Sequence, residues 1–289
     1  MKRRQFIQTS ALSTLGMTLS NQLIAAPKWT IGCFNRPWTK WSFDESLDGV
    51  KAAGYKVTGL LSRTKDDQFI GSSATPEYLA GIKEKLSKRG LKANMGALNV
   101  KSALPFDEAK IDLRKQIDNA QFLKLESLLT FGVDKPAEYD NFYNLMSDAA
   151  AYSNERKIKL AMKPHGGGSG ASDEILAAIK RVNHPNFKIW YDAGNIIHYT
   201  GKDPVEELMP IIQHVTGFCA KDCAVQKGDV MLQFGTGKVD FRAVFVKLKD
   251  AGFKGPIMVE CCKLSMLAAE VTANAKANRE YLEKILATL

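Results

Sequence analysis

The sequence predicts a single (β/α)8 barrel. Short apolar runs recur about every 30 residues, and a stretch with helical apolar spacing follows each one. Eight such units fill about 260 residues, the usual length of one barrel. Four consecutive runs in the second half end in ionisable groups: Lys163, Asp192, Lys221-Asp222 and Glu260. A barrel's catalytic face places such groups at the C-terminal ends of its strands. An open, doubly wound sheet is the competing topology, but no GxGxxG follows the first strand.

In chain order the expected strands and helices are 30–34 with 44–53, 56–61 with 76–89, 91–97 with 107–124, and 127–131 with 137–156. The second half continues with 158–162 and 172–181, 188–191 and 205–213, 216–220 and 241–251, and 256–260 and 268–287. Ser172-Asp173-Glu174 is a helix opening. Gly54, Gly90 and Gly252 each follow a helix and precede a strand, the position where a left-handed cap is needed.

Residues 1–26 read as a leader and 27–289 as the barrel. Lys2, Arg3 and Arg4 are basic, and Arg3-Arg4-Gln5-Phe6-Ile7 resembles a twin-arginine export signal. The following stretch is too polar and too short for a good membrane span and ends in small residues, so cleavage is expected near Ala25 or Ala26. The expected location is the periplasm, with no stable membrane anchor after cleavage.

The formal net charge is +9, and loss of the three leader cations would leave about +6. No Lys/Arg run is interleaved with aromatics, so nucleic acid is not an expected partner. Five cysteines, at 33, 219, 223, 261 and 262, do not form paired clusters at zinc-finger spacing and read as small buried hydrophobes.

The candidate site starts from Lys163-Pro164-His165-Gly166-Gly167. Side chains alternate along a strand, so Lys163 and His165 share a face at the end of the fifth strand. A surface lysine and a turn histidine are the structural alternative. Asp192 is either a ligating group or the cap of a following helix, and one helical turn would bring Asn195 and His198 to the mouth. Cys219 and Lys221 share a face at the end of the seventh strand, unless Lys221-Asp222 is only a surface pair. Glu260 ends an apolar strand, a costly place for a carboxylate unless it is paired or ligating. The loop 233–241, with two glycines and Lys238, suits a hydroxyl-rich ligand or is simply a turn capped by Asp240. Trp38 and Trp41, near Phe34 and Arg36, either stack on a sugar or pack the loop.

The segments KPHGGG, YDAGN, FCAKD, GTGKVDF and GPIMVE fall in order on successive strands. On these the mature chain resembles the xylose isomerase-like TIM barrels, the sugar phosphate isomerase/epimerase superfamily. The resemblance implies one divalent ion (Mn, Mg, Co or Zn) held by Glu, Asp, His and Glu on strands five to eight. The corresponding positions here are Lys163, Asp192, Cys219 and Glu260, of which only Asp192 and Glu260 match. Two repairs follow: His165 completes a three-ligand site with Asp192 and Glu260, or the Lys163 ammonium replaces the ion's charge. The first is the expectation taken forward.

The expected function is that of an exported sugar isomerase or epimerase working through an enediolate on a small carbohydrate. Glu260, His165, Lys163 and Lys221 are the expected catalytic groups. Asn195, His198, Trp38 and Lys238 are the expected substrate contacts. The alternatives are a lyase or hydratase acting on keto-sugars or 3-keto-glycosides, and a non-catalytic sugar-binding barrel. Oligomerisation is left open. Abasic-site endonucleases of the same superfamily need a larger set of His and Glu ligands than this chain offers.

Overall fold

In the computed structural model, which describes residues 28–67 and 69–289, eight parallel strands close into a barrel. The strands are β1 (Ile31–Phe34), β2 (Val57–Leu60), β3 (Lys92–Ala97), β4 (Ser127–Thr130), β5 (Lys159–Met162), β6 (Phe187–Tyr191), β7 (Val215–Ala220) and β8 (Ile257–Val259). Ring closure is the pairing of β8 with β1, where Ile31 lies opposite Ile257 and Cys33 opposite Val259. The expected leader lies outside the described residues.

The helices around the barrel are α1 (Phe43–Ala52), α2 (Pro76–Lys88), α3 (Phe106–Phe122), α4 (Tyr139–Glu155), α5 (Ser172–Val182), α6 (Ala193–Thr200), α7 (Pro204–Leu208), α8 (Phe241–Asp250) and α9 (Ala268–Leu286). Local chemistry sets their ends. Ser42 and Glu45 form a capping box at the start of α1. Thr75 caps α2 just before Pro76. Gly54, Gly90 and Gly252 all have positive φ, as their positions after helices require.

The expected pairs of strand and helix are present, with two differences in the sixth unit. The expected helix 205–213 is broken: α7 ends at Leu208 and a 3-10 turn runs Met209–His214. Pro210 lacks the N–H a continuing α-helix would need. The other difference is α6, a further helix that starts directly after Asp192.

Two apolar layers hold the fold. The larger lies between the sheet and the helices. The smaller fills the barrel, where Phe34, Met95, Leu129, Ala161, Trp190, Cys219 and Met258 meet. The Trp190 ring lies over Gly217, where a Cβ would come within 2.2 Å of it. This inner layer is the floor of the site. Two residues further along the same strands, on the same face, stand Arg36, Lys163, Asp192, Lys221 and Glu260. Among the described residues no helix is long and apolar enough to cross a membrane.

Candidate active site

Four expected residues come together at the C-terminal mouth. Lys163, Asp192, Lys221 and Glu260 are all buried. Lys163 Nζ is 2.9 Å from Asp192 Oδ2 and also donates to Glu260 Oε2. Lys221 Nζ is 3.2 Å from Asp192 Oδ2 and 3.0 Å from Glu260 Oε1. Both ammonium groups therefore bridge the same two carboxylates. Arg36, from the turn after β1, donates to Glu260 Oε1, and its side chain is 34 % exposed. The guanidinium is the part of this cluster that reaches solvent.

The cluster carries three cations against two anions. Burial alone would pull the Lys163 ammonium down, but Asp192 and Glu260 hold its pKa well above the ordinary lysine value. Burial would likewise raise the Glu260 carboxyl, yet Lys163, Lys221 and Arg36 hold it well below its ordinary range. Glu260 is thus a fixed anion and a weak base, contrary to the expectation of a catalytic base. Burial keeps the Cys219 thiol protonated, its pKa raised well above the usual value.

His165 lies at the edge of the cluster. Its ring nitrogens are 3.1 and 3.3 Å from the Tyr199 hydroxyl. Burial, with the positive charges of Lys163 and Lys221, lowers its pKa to about 4. The imidazole is neutral at pH 7 and so free to accept a proton, although the shift that keeps it neutral also weakens it as a base. Phe131 stands beside both groups, 5.3 Å from the His165 ring and 5.7 Å from Lys163 Nζ.

The expected ligand set is not the one the fold assembles. Asp192, Cys219 and Glu260 have ligand atoms within 4.8 Å of one another, while His165 stands outside this group beside Tyr199. Asp192 Oδ2 makes no well-aligned hydrogen bond, which marks it as a possible ligand oxygen. The rest of the donor set does not fit a hard divalent ion. Such ions prefer oxygen ligands to a cysteine sulfur, and each carboxylate already meets two ammonium groups. An added double charge would face Lys163 and Lys221 at close range.

The expected substrate contacts take other roles. Trp38 is fully buried, donates to Thr272 Oγ1 at 3.2 Å and covers Gly49, so it packs the core instead of offering a platform to a sugar. Asn195 is buried, donates to the Pro164 carbonyl at 2.6 Å and accepts from Lys221 Nζ at 2.8 Å, so it orients Lys221. His198 bonds the Gly228 carbonyl through Nδ1 at 2.9 Å and meets Tyr199 edge-on, a buttress for the Tyr199 ring. Lys238 is exposed and lines a separate cleft with Lys202 and Asp203.

Asp192 is the helix cap that the sequence offered as one of its two readings. Oδ1 caps α6 by accepting from Asn195 N at 2.9 Å, while Oδ2 faces the lysines. Arg36, Phe131 and Tyr199 were not among the expected site residues. The signal for Arg36 was available, since it shares a face with Phe34 at the end of β1. Tyr199 depends on α6, which strand periodicity does not announce.

A family model described as xylose isomerase-like TIM barrel matches residues 47–285. The chain belongs to that family. It is 22 % identical over 260 residues to L-ribulose-5-phosphate 3-epimerase of Escherichia coli (strain K12), covering 84 % of this chain and 89 % of the relative. D-allulose 3-epimerase from Methylomonas sp. superposes with a TM-score of 0.70 at 19 % identity, over 91 % of this chain and 100 % of that one. A xylose isomerase-like TIM barrel protein from Mycobacterium smegmatis, in complex with magnesium, superposes with a TM-score of 0.73 at 16 % identity, over 91 % and 98 %. These likenesses to solved structures concern the fold.

Proposed function

We propose that this family member is a carbohydrate isomerase or epimerase that moves a proton on carbon next to a carbonyl. One observation carries the proposal: a neutral imidazole, His165, stands beside fixed buried cations at the barrel mouth. His165 takes the proton from the α-carbon. The electron pair of the broken C–H bond moves onto the carbonyl oxygen, giving an enediolate. Lys221 Nζ donates to Asn195 Oδ1 and Lys163 Nζ to Glu260 Oε2, and both ammonium groups form ion pairs with Asp192. Arg36 donates to Glu260 Oε1, and its side chain is 34 % exposed. Arg36 is therefore the donor for the developing oxyanion, with Lys163 and Lys221 as fixed positive charge behind it. Return of the proton to the former carbonyl carbon, with the hydroxyl proton passing between the two oxygens, gives an isomer, and protonation of the original carbon by a second acid on the opposite face gives an epimer.

The names of relatives support a carbohydrate substrate, since both an L-ribulose-5-phosphate 3-epimerase and a D-allulose 3-epimerase are similar to this chain. The test is incubation of the purified protein with unphosphorylated ketohexoses in heavy water, followed by proton NMR. Deuterium at carbon next to the carbonyl is the expected result. Exchange at an undiminished rate in His165→Ala would refute the role of the imidazole.

We also propose that the protein is exported, on the strength of the Arg3-Arg4-Gln5-Phe6-Ile7 leader. Cell fractionation tests this: replacing Arg3 and Arg4 by lysine is expected to retain the protein in the cytoplasm. An unchanged periplasmic fraction would overturn it.

A further inference from the structure

The mouth of the barrel has two unlike halves. Charge is gathered at the ends of β5 to β8 and β1. At the ends of β2, β3 and β4 there is instead a cavity of about 300 Å3. Its walls are Leu61, Phe69, Ala97, Leu98, Val100 and Phe131, with Asn99, Thr130 and Gly132. Among the described residues no lysine, arginine or carboxylate lines it. Phe131 is shared between the two halves, since the same ring stands beside His165 and Lys163.

We infer that this cavity is a second subsite of the active site and takes an apolar, ring-sized substituent on the sugar, not a phosphate. The inference rests on the proposed carbohydrate chemistry of the cationic cluster and adds the substrate class. A phosphate would need a cation or a set of backbone donors to replace its hydration. Among the described residues no lysine or arginine lines these walls, the Arg63 guanidinium standing 5.8 Å from the Phe69 ring, and leaving a dianion against Leu61, Phe69 and Val100 is costly. A substituent with an aromatic or branched apolar group gains by leaving water. It also meets the Phe131 face at the point where the sugar passes toward His165. The substrate is thus an amphipathic sugar: an oxygen-rich end over Arg36 and Lys163, and an apolar end between β2 and β4.

The experiment is calorimetric titration of the purified protein with three probes: methyl β-D-glucopyranoside, phenyl β-D-glucopyranoside and glucose 6-phosphate. The phenyl glycoside is expected to bind about tenfold or more tightly than the methyl glycoside. Ala97→Phe fills the cavity and is expected to bring that ratio to about one. Val100→Asp puts a charge on the wall and does the same should Ala97→Phe not fold. The ratio is the readout, so a general loss of affinity does not mimic the effect. Equal binding of the two glycosides, tightest binding of the phosphate ester, or binding of none of the three would overturn the inference. Binding is read without turnover. A protein that exchanges deuterium but ignores the phenyl group refutes this subsite alone. One that prefers the phenyl group but never exchanges refutes the proton-transfer reading alone.

Discussion

Lys163 is the residue on which the chemistry turns. Its ammonium group touches the two carboxylates that a divalent ion would also need. Removing the partner of a buried charge costs about 3–5 kcal/mol when that charge is left alone. In Lys163→Met both carboxylates still meet Lys221, so a smaller loss, below about 3 kcal/mol, is expected in urea denaturation. The variant is also expected to gain affinity for added Mn2+ or Zn2+, since Asp192, Cys219 and Glu260 then lose one competing cation. Calorimetric titration with each metal reads the gain, and equal affinity in both proteins would count against the idea. His165 gives a second prediction. Its pKa is about 4, below the ordinary 6.5. The imidazole is thus ready to act down to low pH, and the acid limb of kcat/KM is expected near pH 4. Loss of the group in His165→Ala is expected to cost about 10²–10⁴-fold in rate. The same shift affects folding. Between pH 6.5 and 4 the unfolded chain binds a proton that the folded one does not, so His165 makes the protein less stable as pH falls through this window. His165→Ala should flatten the loss in a pH series of denaturation midpoints.

At the scale of the elements, the long loop between β7 and α8 depends on Asp222. Its Oδ1 accepts from Cys223 N at 2.9 Å and Val239 N at 3.2 Å. Its Oδ2 accepts from Gly235 N at 3.0 Å and Gly237 N at 2.9 Å. One buried carboxylate thus holds four backbone donors, next in sequence to Lys221. Bonds to charged acceptors are worth about 1.5–3 kcal/mol each, and donors left buried add to the loss. Asp222→Ala is expected to destabilise the fold by about 3 kcal/mol or more in urea denaturation, with Lys221 displaced. An effect below about 1 kcal/mol would show that water replaces the carboxylate. The sequence marked Asp222 only as half of a possible surface pair. One partner is the next residue, Cys223, and the other three, Gly235, Gly237 and Val239, lie 13 to 17 residues on, a convergence that spacing alone does not reveal. The same limit hid Tyr199. Its helix is short, and the turn from Asp192 into α6 reads equally well as a loop.

Across the whole molecule, the barrel was legible because each strand buries both faces and each helix one, so period and length agreed in unit after unit. That Lys163, Asp192, Lys221 and Glu260 end successive strands at one mouth followed from the strand periods. The identity of the charge partners did not, because β5, β6 and β8 are distant in sequence and the lysines could have served a metal site or replaced it. Trp38 shows the opposite failure: an aromatic after a barrel strand suggested a sugar platform, while Gly49 leaves space that draws the ring into the core. The account that remains is a barrel whose floor is apolar and whose mouth holds fixed protein cations at the carboxylate pair. Elemental mass spectrometry of the purified protein, with no metal or chelator added, tests this most directly. The account predicts far less than one divalent ion per chain. About one tightly held ion per chain would contradict it and return the charge-stabilising role to a metal at Asp192, Cys219 and Glu260.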